Sequence, residues 1–123
     1  MKRLLIGLGV LAMLAPAALA AAQDEPASKT ELTFAEPTVV GSSTLSPGRY
    51  KFTCRMIDGD HVMIVTSVVT GKEVARVQCK QMVLDSKVQE TEYRSVRRGE
   101  VKVVTDVRIK GESFAHRLAP PVQ

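Results

Sequence analysis

Short runs in which apolar and polar residues alternate are the feature that most constrains the fold of this chain. In VKVVTDVRIK, residues 101–110, the side chains at 101, 103, 107 and 109 are apolar and those at 102, 106, 108 and 110 are charged. Successive side chains of a strand point to opposite faces, so this pattern predicts a half-buried strand. Six or seven such runs follow one another at intervals of roughly ten residues, without an amphipathic helix. We therefore predict an all-β domain, either a small antiparallel sandwich or a partly open barrel.

Turn residues separate the predicted strands. Pro47-Gly48 is typical of the centre of a type II turn, and Asp58-Gly59 is a strong hairpin signal. Gly111-Glu112 predicts a further tight hairpin before the last strand.

The N-terminus has the pattern of an export signal. Lys2 and Arg3 precede the apolar run LLIGLGVLAMLAPAALA, and Ala18-Leu19-Ala20 is typical of a signal-peptidase site. The alternative is an uncleaved membrane anchor, but the run is slightly short for a span of roughly 20 residues. We predict a signal helix over residues 1–20, its cleavage, no stable membrane span afterwards, and a periplasmic or extracellular location.

The remaining chain is long enough for one domain. Residues 21–30, AAQDEPASKT, are small and polar and predict a disordered leader. The predicted β domain covers residues 31–118, and residues 119–123 form a tail.

Charge and composition argue against nucleic-acid binding. The full chain carries a net charge of +4. Removing residues 1–20 leaves 15 basic and 13 acidic side chains, a net charge of +2. Nucleic-acid binding domains usually concentrate basic charge on one face, and this chain also has no Trp for base stacking.

Two segments resemble a known group of proteins. TLSPGRYKF resembles the Leu-Pro-Ala-Gly-x-Tyr-x-Val element of small exported β proteins from Acidobacteria-type soil bacteria. VVTDVRIKGESFAHRL is similar to their C-terminal Gly hairpin, and with PTVVGSSTL the resemblance spans most of residues 35–118. It implies a compact, secreted bacterial β domain and no particular reaction. The cysteines are not part of this pattern.

Cys54 and Cys79, the only two cysteines, both fall on apolar faces of predicted strands. In an oxidising compartment such a pair predicts a disulfide. A meander would place one strand between them and separate their strands by about 9 to 10 Å, too far for a bridge. The bridge therefore needs adjacent strands, or strands that face each other across a folded sheet. Two buried free thiols are the alternative.

A soft-metal site, for example for Cu(I), is a further interpretation. Its ligands would come from the two cysteines with His61, His116, Met56, Met63 and Met82. Their spacing matches no standard metal motif, so the sequence predicts no metal and no cofactor.

Four basic residues lie close together around the predicted RRGE turn: Arg94, Arg97, Arg98 and Lys102. They suggest a small patch for an anionic partner. The alternative, which we favour, is a solvated hairpin tip that protects a sheet edge from aggregation.

No motif indicates catalysis. We therefore expect a non-catalytic binding or interaction module with a protein or cell-envelope partner. The alternative is a self-assembling extracellular subunit, in which residues 28–37 would add a strand to a neighbouring copy.

Overall fold

The computed structural model describes residues 28–121, and in this part of the chain every regular element is a strand. The all-β prediction is therefore confirmed, whereas the predicted signal helix, most of the leader and the end of the tail lie outside the described residues. The nine strands are β1 (Ser28–Phe34), β2 (Thr38–Val40), β3 (Ser43–Leu45), β4 (Gly48–Ile57), β5 (Asp60–Ser67), β6 (Glu73–Val83), β7 (Glu92–Arg98), β8 (Val101–Arg108) and β9 (Phe114–Leu118).

The count exceeds the six or seven strands expected from the sequence because the segment before Pro47 forms two very short strands. β2 and β3 have three residues each and are joined at Gly41, which has a left-handed φ of 62°. Three-residue strands are too short to show a convincing alternation, so the sequence suggested only an extended piece. β1 also begins at Ser28, three residues before the predicted start of the domain.

The strands form one continuous hydrogen-bonded sheet rather than two separate ones. Its order is β1-β4-β5-β6-β9-β8-β2-β3, and β7 pairs with the other edge of β8. All pairs are antiparallel except β2 with β8. The strands thus form one open sheet that curves over its own core. The predicted choice between a small sandwich and a partly open barrel stays a prediction.

The β4–β5 hairpin has the turn that its sequence predicts. Asp58 and Gly59 both have positive φ, 51° and 85°. Positive φ at both central residues matches the right-handed twist of the strands that flank a two-residue turn. The register runs from Ile57↔Asp60 back to Tyr50↔Ser67.

The core lies on the concave face, where the inward side chains of the strands meet. Phe34 on β1 is fully buried and packs edge-on against Phe52 of β4 and Tyr93 of β7, with ring centroids 6.1 and 5.1 Å apart. Because β1 and β7 lie far apart in the sheet order, these contacts hold the curved sheet closed over its core. Met56, two residues after Cys54 on β4, is about half exposed because it lies near the hairpin end.

Strand β6 changes partners along its length. Its first part, up to Gln78, pairs with β5, and from Cys79 to Val83 it pairs with β9. The inward face of β6 therefore borders both the part of the sheet with β5 and the part with β9. Cys79 lies at the point where the partner changes.

Candidate functional site: a buried cluster of two thiols and an imidazole

Three strands contribute one chemically active side chain each to a single buried cluster. Cys54 comes from β4, Cys79 from β6 and His116 from β9. Their two sulfurs and one His116 ring nitrogen all lie within 4.8 Å of one another. Cys54 and His116 are fully buried and Cys79 is 6% exposed, so the cluster belongs to the core.

The two sulfurs are close but not bonded. Cys54 Sγ and Cys79 Sγ lie 3.8 Å apart, whereas a disulfide bond is about 2.05 Å long. β5 does lie between β4 and β6, as a meander requires, yet the curvature of the sheet makes the inward side chains converge. The predicted proximity is therefore present, through a folded sheet, while both thiols are free in this structure.

His116 is held in a fixed orientation by a carboxylate. Its Nε2 lies 2.8 Å from Glu112 Oε1, and Ser28 Oγ donates a hydrogen bond to the other oxygen, Oε2. An ionised carboxylate only accepts hydrogen bonds, so Nε2 carries the proton. The other ring nitrogen, Nδ1, is buried and has no hydrogen-bond partner among residues 28–121. In a neutral ring this nitrogen keeps a free lone pair, as a metal-ligating histidine requires.

His61 approaches the cluster from the solvent side. Its Nδ1 lies 3.6 Å from Cys54 Sγ, and the residue is half-buried near the start of β5. It does not belong to the set of atoms within 4.8 Å of one another. A surface groove of about 710 Å³ is lined by His61 and Cys79, with Lys80, Arg117 and Pro120 among its other residues. Through His61 and Cys79 the groove borders the cluster.

The surroundings shift the pKa values of the two thiols in opposite directions. The hydrogen bond from the Cys79 thiol, followed by the interactions with His116 and His61, lowers the pKa of Cys54 well below that of a free cysteine, although burial opposes this. The pKa of Cys79 is raised by its hydrogen bond to Cys54 and by burial. Burial alone would lower the pKa of His116, but Cys54 and Glu112 outweigh it and raise it. Of the two thiols, Cys54 therefore loses its proton the more readily.

Two distances in and beside the cluster match those between the ligands of a tetrahedral zinc ion, whereas the His116 nitrogen is placed only within 4.8 Å of the two sulfurs. Two sulfurs bound at about 2.3 Å in tetrahedral geometry lie about 3.8 Å apart, and a sulfur and a nitrogen about 3.6 Å apart. The observed values are 3.8 Å for the two sulfurs and 3.6 Å for Cys54 Sγ and His61 Nδ1. Packed free thiols also touch at 3.8 Å, so the sulfur distance alone does not decide. Two thiols that merely pack together do not require a buried imidazole with an unpaired nitrogen, nor a carboxylate that holds it in place. These two features therefore favour a metal site over simple packing.

Cys54, His116 and Glu112 also form a thiol–imidazole–carboxylate arrangement, which resembles that of a nucleophilic catalyst. Here, however, Cys54 and His116 are both fully buried and face the core. A substrate would need direct access to the sulfur, and the groove reaches Cys79 rather than Cys54. The arrangement suits a small ion better than a substrate.

Four members of this neighbourhood are candidate ligands from the sequence, but the sequence does not show how they combine. The spacing of Cys54, Cys79, His61 and His116 matches no standard metal motif. At Glu112 the sequence predicts only a turn, although this residue lies four residues before His116 and its side chain folds back onto the ring. The three methionines do not join the cluster of ligand atoms: Met63 is buried opposite Cys54, and Met82 contacts Arg117.

The four basic residues of the predicted anionic patch lie along β7 and the start of β8, and three of them have carboxylate neighbours. Arg97 and Lys102 both pair with Glu36, at 2.8 and 3.7 Å, and Arg94 lies 3.9 Å from Glu92. Lys102 also donates a hydrogen bond to the Tyr93 hydroxyl. The fourth, Arg98, is exposed near the turn. This local balance of charge weakens the case for an anion-binding patch, which stays a prediction.

No family model, curated protein or solved structure matches this chain. Within residues 28–121, no helix is long and apolar enough to cross a membrane.

Proposed function

We propose that this domain is a zinc-binding module in which Cys54, Cys79 and His116 hold the ion. The observation that carries the proposal is the buried Nδ1 of His116, unpaired, beside two thiols and fixed by Glu112 through Nε2. Metal-ligating histidines commonly donate their second ring N–H to a carboxylate in this way. A histidine buried only for packing gains nothing from an unpaired nitrogen, which costs free energy.

The charges of the site favour a divalent ion. Two thiolates and the Glu112 carboxylate together carry three negative charges, and a neutral His116 adds none. Zn²⁺ leaves a net charge of −1 that Glu112, partly exposed, shares with solvent and with Ser28. Cu(I) would leave −2 in the core, and burying unpaired charge is costly. Zn²⁺ also prefers the mixed sulfur and nitrogen ligands available here.

The fourth ligand is His61 or a water molecule in the groove. His61 lies at a tetrahedral distance from Cys54 only, so its ring must turn towards the other ligands to complete the sphere. Because His61 lies on the solvent side, we expect its loss to weaken zinc binding less than the loss of any other ligand.

Within this proposal the domain acts as an exported, non-catalytic binding module, and the metal ion is its ligand. The burial of Cys54 and His116 supports a non-catalytic role, since a substrate has no direct path to either group. Export is supported by the N-terminal sequence pattern.

Metal titration of the reduced protein tests the proposal. Co²⁺ replaces Zn²⁺ as a coloured probe, and its sulfur-to-metal charge-transfer absorption reports bound thiolates. We expect one equivalent of Co²⁺ to bind with this absorption and to be displaced by Zn²⁺. Cys54→Ser, Cys79→Ser and His116→Gln should each weaken binding by more than the roughly 10- to 100-fold typical of losing a ligand's hydrogen-bond partner.

Met63→Leu is the matched control. Met63 lies directly opposite Cys54 on β5 and is equally buried, but a thioether is not a usual zinc ligand. This variant should bind Zn²⁺ like the parent protein. If the parent binds no more Zn²⁺ than a Cys54→Ser, Cys79→Ser double variant that keeps its circular dichroism spectrum, the proposal fails.

Self-assembly through residues 28–37 is the second proposal carried from the sequence. Most of this segment is β1, which pairs along its whole length with β4 of the same chain and contributes the buried Leu32 and Phe34. Donation to a neighbour would therefore require an exchange of β1 between copies. Sedimentation at high protein concentration tests this: a monomer contradicts assembly and leaves the zinc proposal untouched.

A further inference from the structure

The two sulfurs of the cluster are close enough to serve a second chemistry. Closing the gap from 3.8 Å to a bond length of about 2.05 Å requires a shift of less than 2 Å, shared between two side chains. A sulfur in a disulfide no longer has the thiolate charge with which it binds Zn²⁺. The metal-bound form and the disulfide form of Cys54 and Cys79 therefore exclude each other.

We propose that Cys54 and Cys79 form a redox-controlled zinc site, in which a small-molecule disulfide oxidises the pair and releases the ion. This inference rests on the zinc-binding function proposed above and adds its regulation. It reconciles the disulfide predicted from the sequence with the free thiols observed here, as two states of one site.

The groove determines the order of the reaction. Cys79 lines the groove and retains some exposure, whereas Cys54 is fully buried behind it. In the zinc-loaded protein both sulfurs are thiolates, so access from the groove, rather than the pKa of the free thiols, decides which reacts first. The Cys79 thiolate attacks one sulfur of the external disulfide, forms a mixed disulfide and expels the first external thiolate. The Cys54 thiolate then attacks Cys79 Sγ, closes the internal disulfide and expels the second thiolate. Two electrons pass from the protein to the external disulfide, and the ion leaves because only imidazole ligands remain to hold it.

Buried thiols with no route to solvent would be inert in either state. The proposal therefore depends on the difference in exposure between Cys79 and Cys54. A pair that merely packs together would show no defined order of reaction, and a purely structural zinc site would resist oxidation in its bound form.

Oxidised glutathione is the probe. The zinc-loaded protein is incubated with it, and released Zn²⁺ is followed with a chromogenic chelator while intact mass records the loss of two hydrogen atoms. We expect one Zn²⁺ released per internal disulfide formed, and no Zn²⁺ binding by the oxidised protein until a dithiol reductant restores it. Peptide mapping should identify the bond as Cys54–Cys79.

Two single variants test the order. Cys54→Ser leaves the groove-facing thiol, and should accumulate a glutathione adduct at Cys79. Cys79→Ser leaves only the buried thiol, and should react at least about tenfold more slowly. Trapping the parent protein early with an alkylating reagent gives the same information without a variant, since the first adduct should lie on Cys79.

The outcomes separate the two proposals. Failure of the reduced protein to bind Zn²⁺ overturns the zinc site, whatever the thiols do. Zinc binding that persists after the disulfide has formed overturns the redox inference alone. So does a zinc-loaded protein that forms no internal disulfide, or whose first adduct lies on Cys54.

Discussion

The Nε2 atom of His116 donates a hydrogen bond to Glu112 across 2.8 Å, and this contact decides which ring nitrogen faces the two thiols. The two residues lie four apart: Glu112 ends the turn that precedes β9, and His116 lies in the middle of β9. Ser28, the first residue of β1, donates to the other oxygen of the same carboxylate. The orientation of the imidazole thus depends on both the first and the last strand of the domain.

Glu112→Gln tests this positioning role. An amide can still touch Nε2, but it carries no charge to hold the proton there or to strengthen Nδ1 as a ligand. We expect zinc affinity to fall about 10- to 100-fold, measured by competition with a chelator. Glu100→Gln, in the exposed β7–β8 turn, is the matched control and should change nothing. Equal effects of the two variants would show that general charge, rather than the contact with His116, supports binding.

Phe34→Ala should be among the most destabilising single substitutions. The ring is 1% exposed and touches Tyr50, Phe52 and Tyr93, so its removal leaves a cavity where the sheet closes on itself. The expected loss is about 3 to 5 kcal/mol in the free energy of unfolding, measured by urea denaturation of the metal-free protein. Val69→Ala removes a side chain that is 86% exposed and should cost less than about 0.5 kcal/mol. A loss below about 1 kcal/mol for Phe34→Ala would contradict this account of the core.

Gly41 and Gly99 form a natural pair for separating backbone strain from steric crowding. Both have left-handed φ, 62° and 64°, which costs an alanine about 1 kcal/mol. At Gly41 an added Cβ would also lie 3.0 Å from Cβ of Val77, whereas at Gly99 no atom of the described residues beyond its chain neighbours lies within 4 Å. Gly99→Ala should therefore cost about 1 kcal/mol, and Gly41→Ala about 1 to 3 kcal/mol more. If thermal unfolding shows similar losses of stability in the two variants, then Gly41, at the end of β2, does not lie as close to Val77 of β6 as described.

The Glu36–Arg97 ion pair gives a pH-dependent prediction. The hydrogen bond from Arg97 lowers the pKa of Glu36, and nearby Lys102 acts in the same direction. A carboxyl group with a lowered pKa stabilises the fold above its unfolded pKa of about 4.3, and this contribution is lost as the pH falls through the folded value. Glu36→Gln should therefore lower the melting temperature slightly at pH 7 and have no effect at acidic pH. The pair is exposed, so the difference is small, and added salt should reduce it. A difference that grows as the pH falls would contradict this assignment.

Local patterns predicted the strands and most of the core, because alternation is a property of neighbouring residues. The apolar strand face on which the sequence places Cys54 is buried, together with Tyr50 and Phe52, and Asp58-Gly59 makes the expected turn. What the sequence does not contain is the place where β6 changes partners, since this depends on the curvature of the whole sheet. The cluster depends on that exchange, so spacing along the chain gave no indication that His116 lies beside Cys54.

The partner exchange in β6 also has a mechanical consequence. Cys54 lies in the part of the sheet built from β1, β4 and β5, and His116 in the part that contains β8 and β9. An ion bound between them would cross-link the two parts of the sheet, so that neither part could open without breaking a metal–ligand bond. Loading the site should slow amide hydrogen exchange in both parts together, whereas oxidation would join only β4 to β6 and leave β9 free to open on its own.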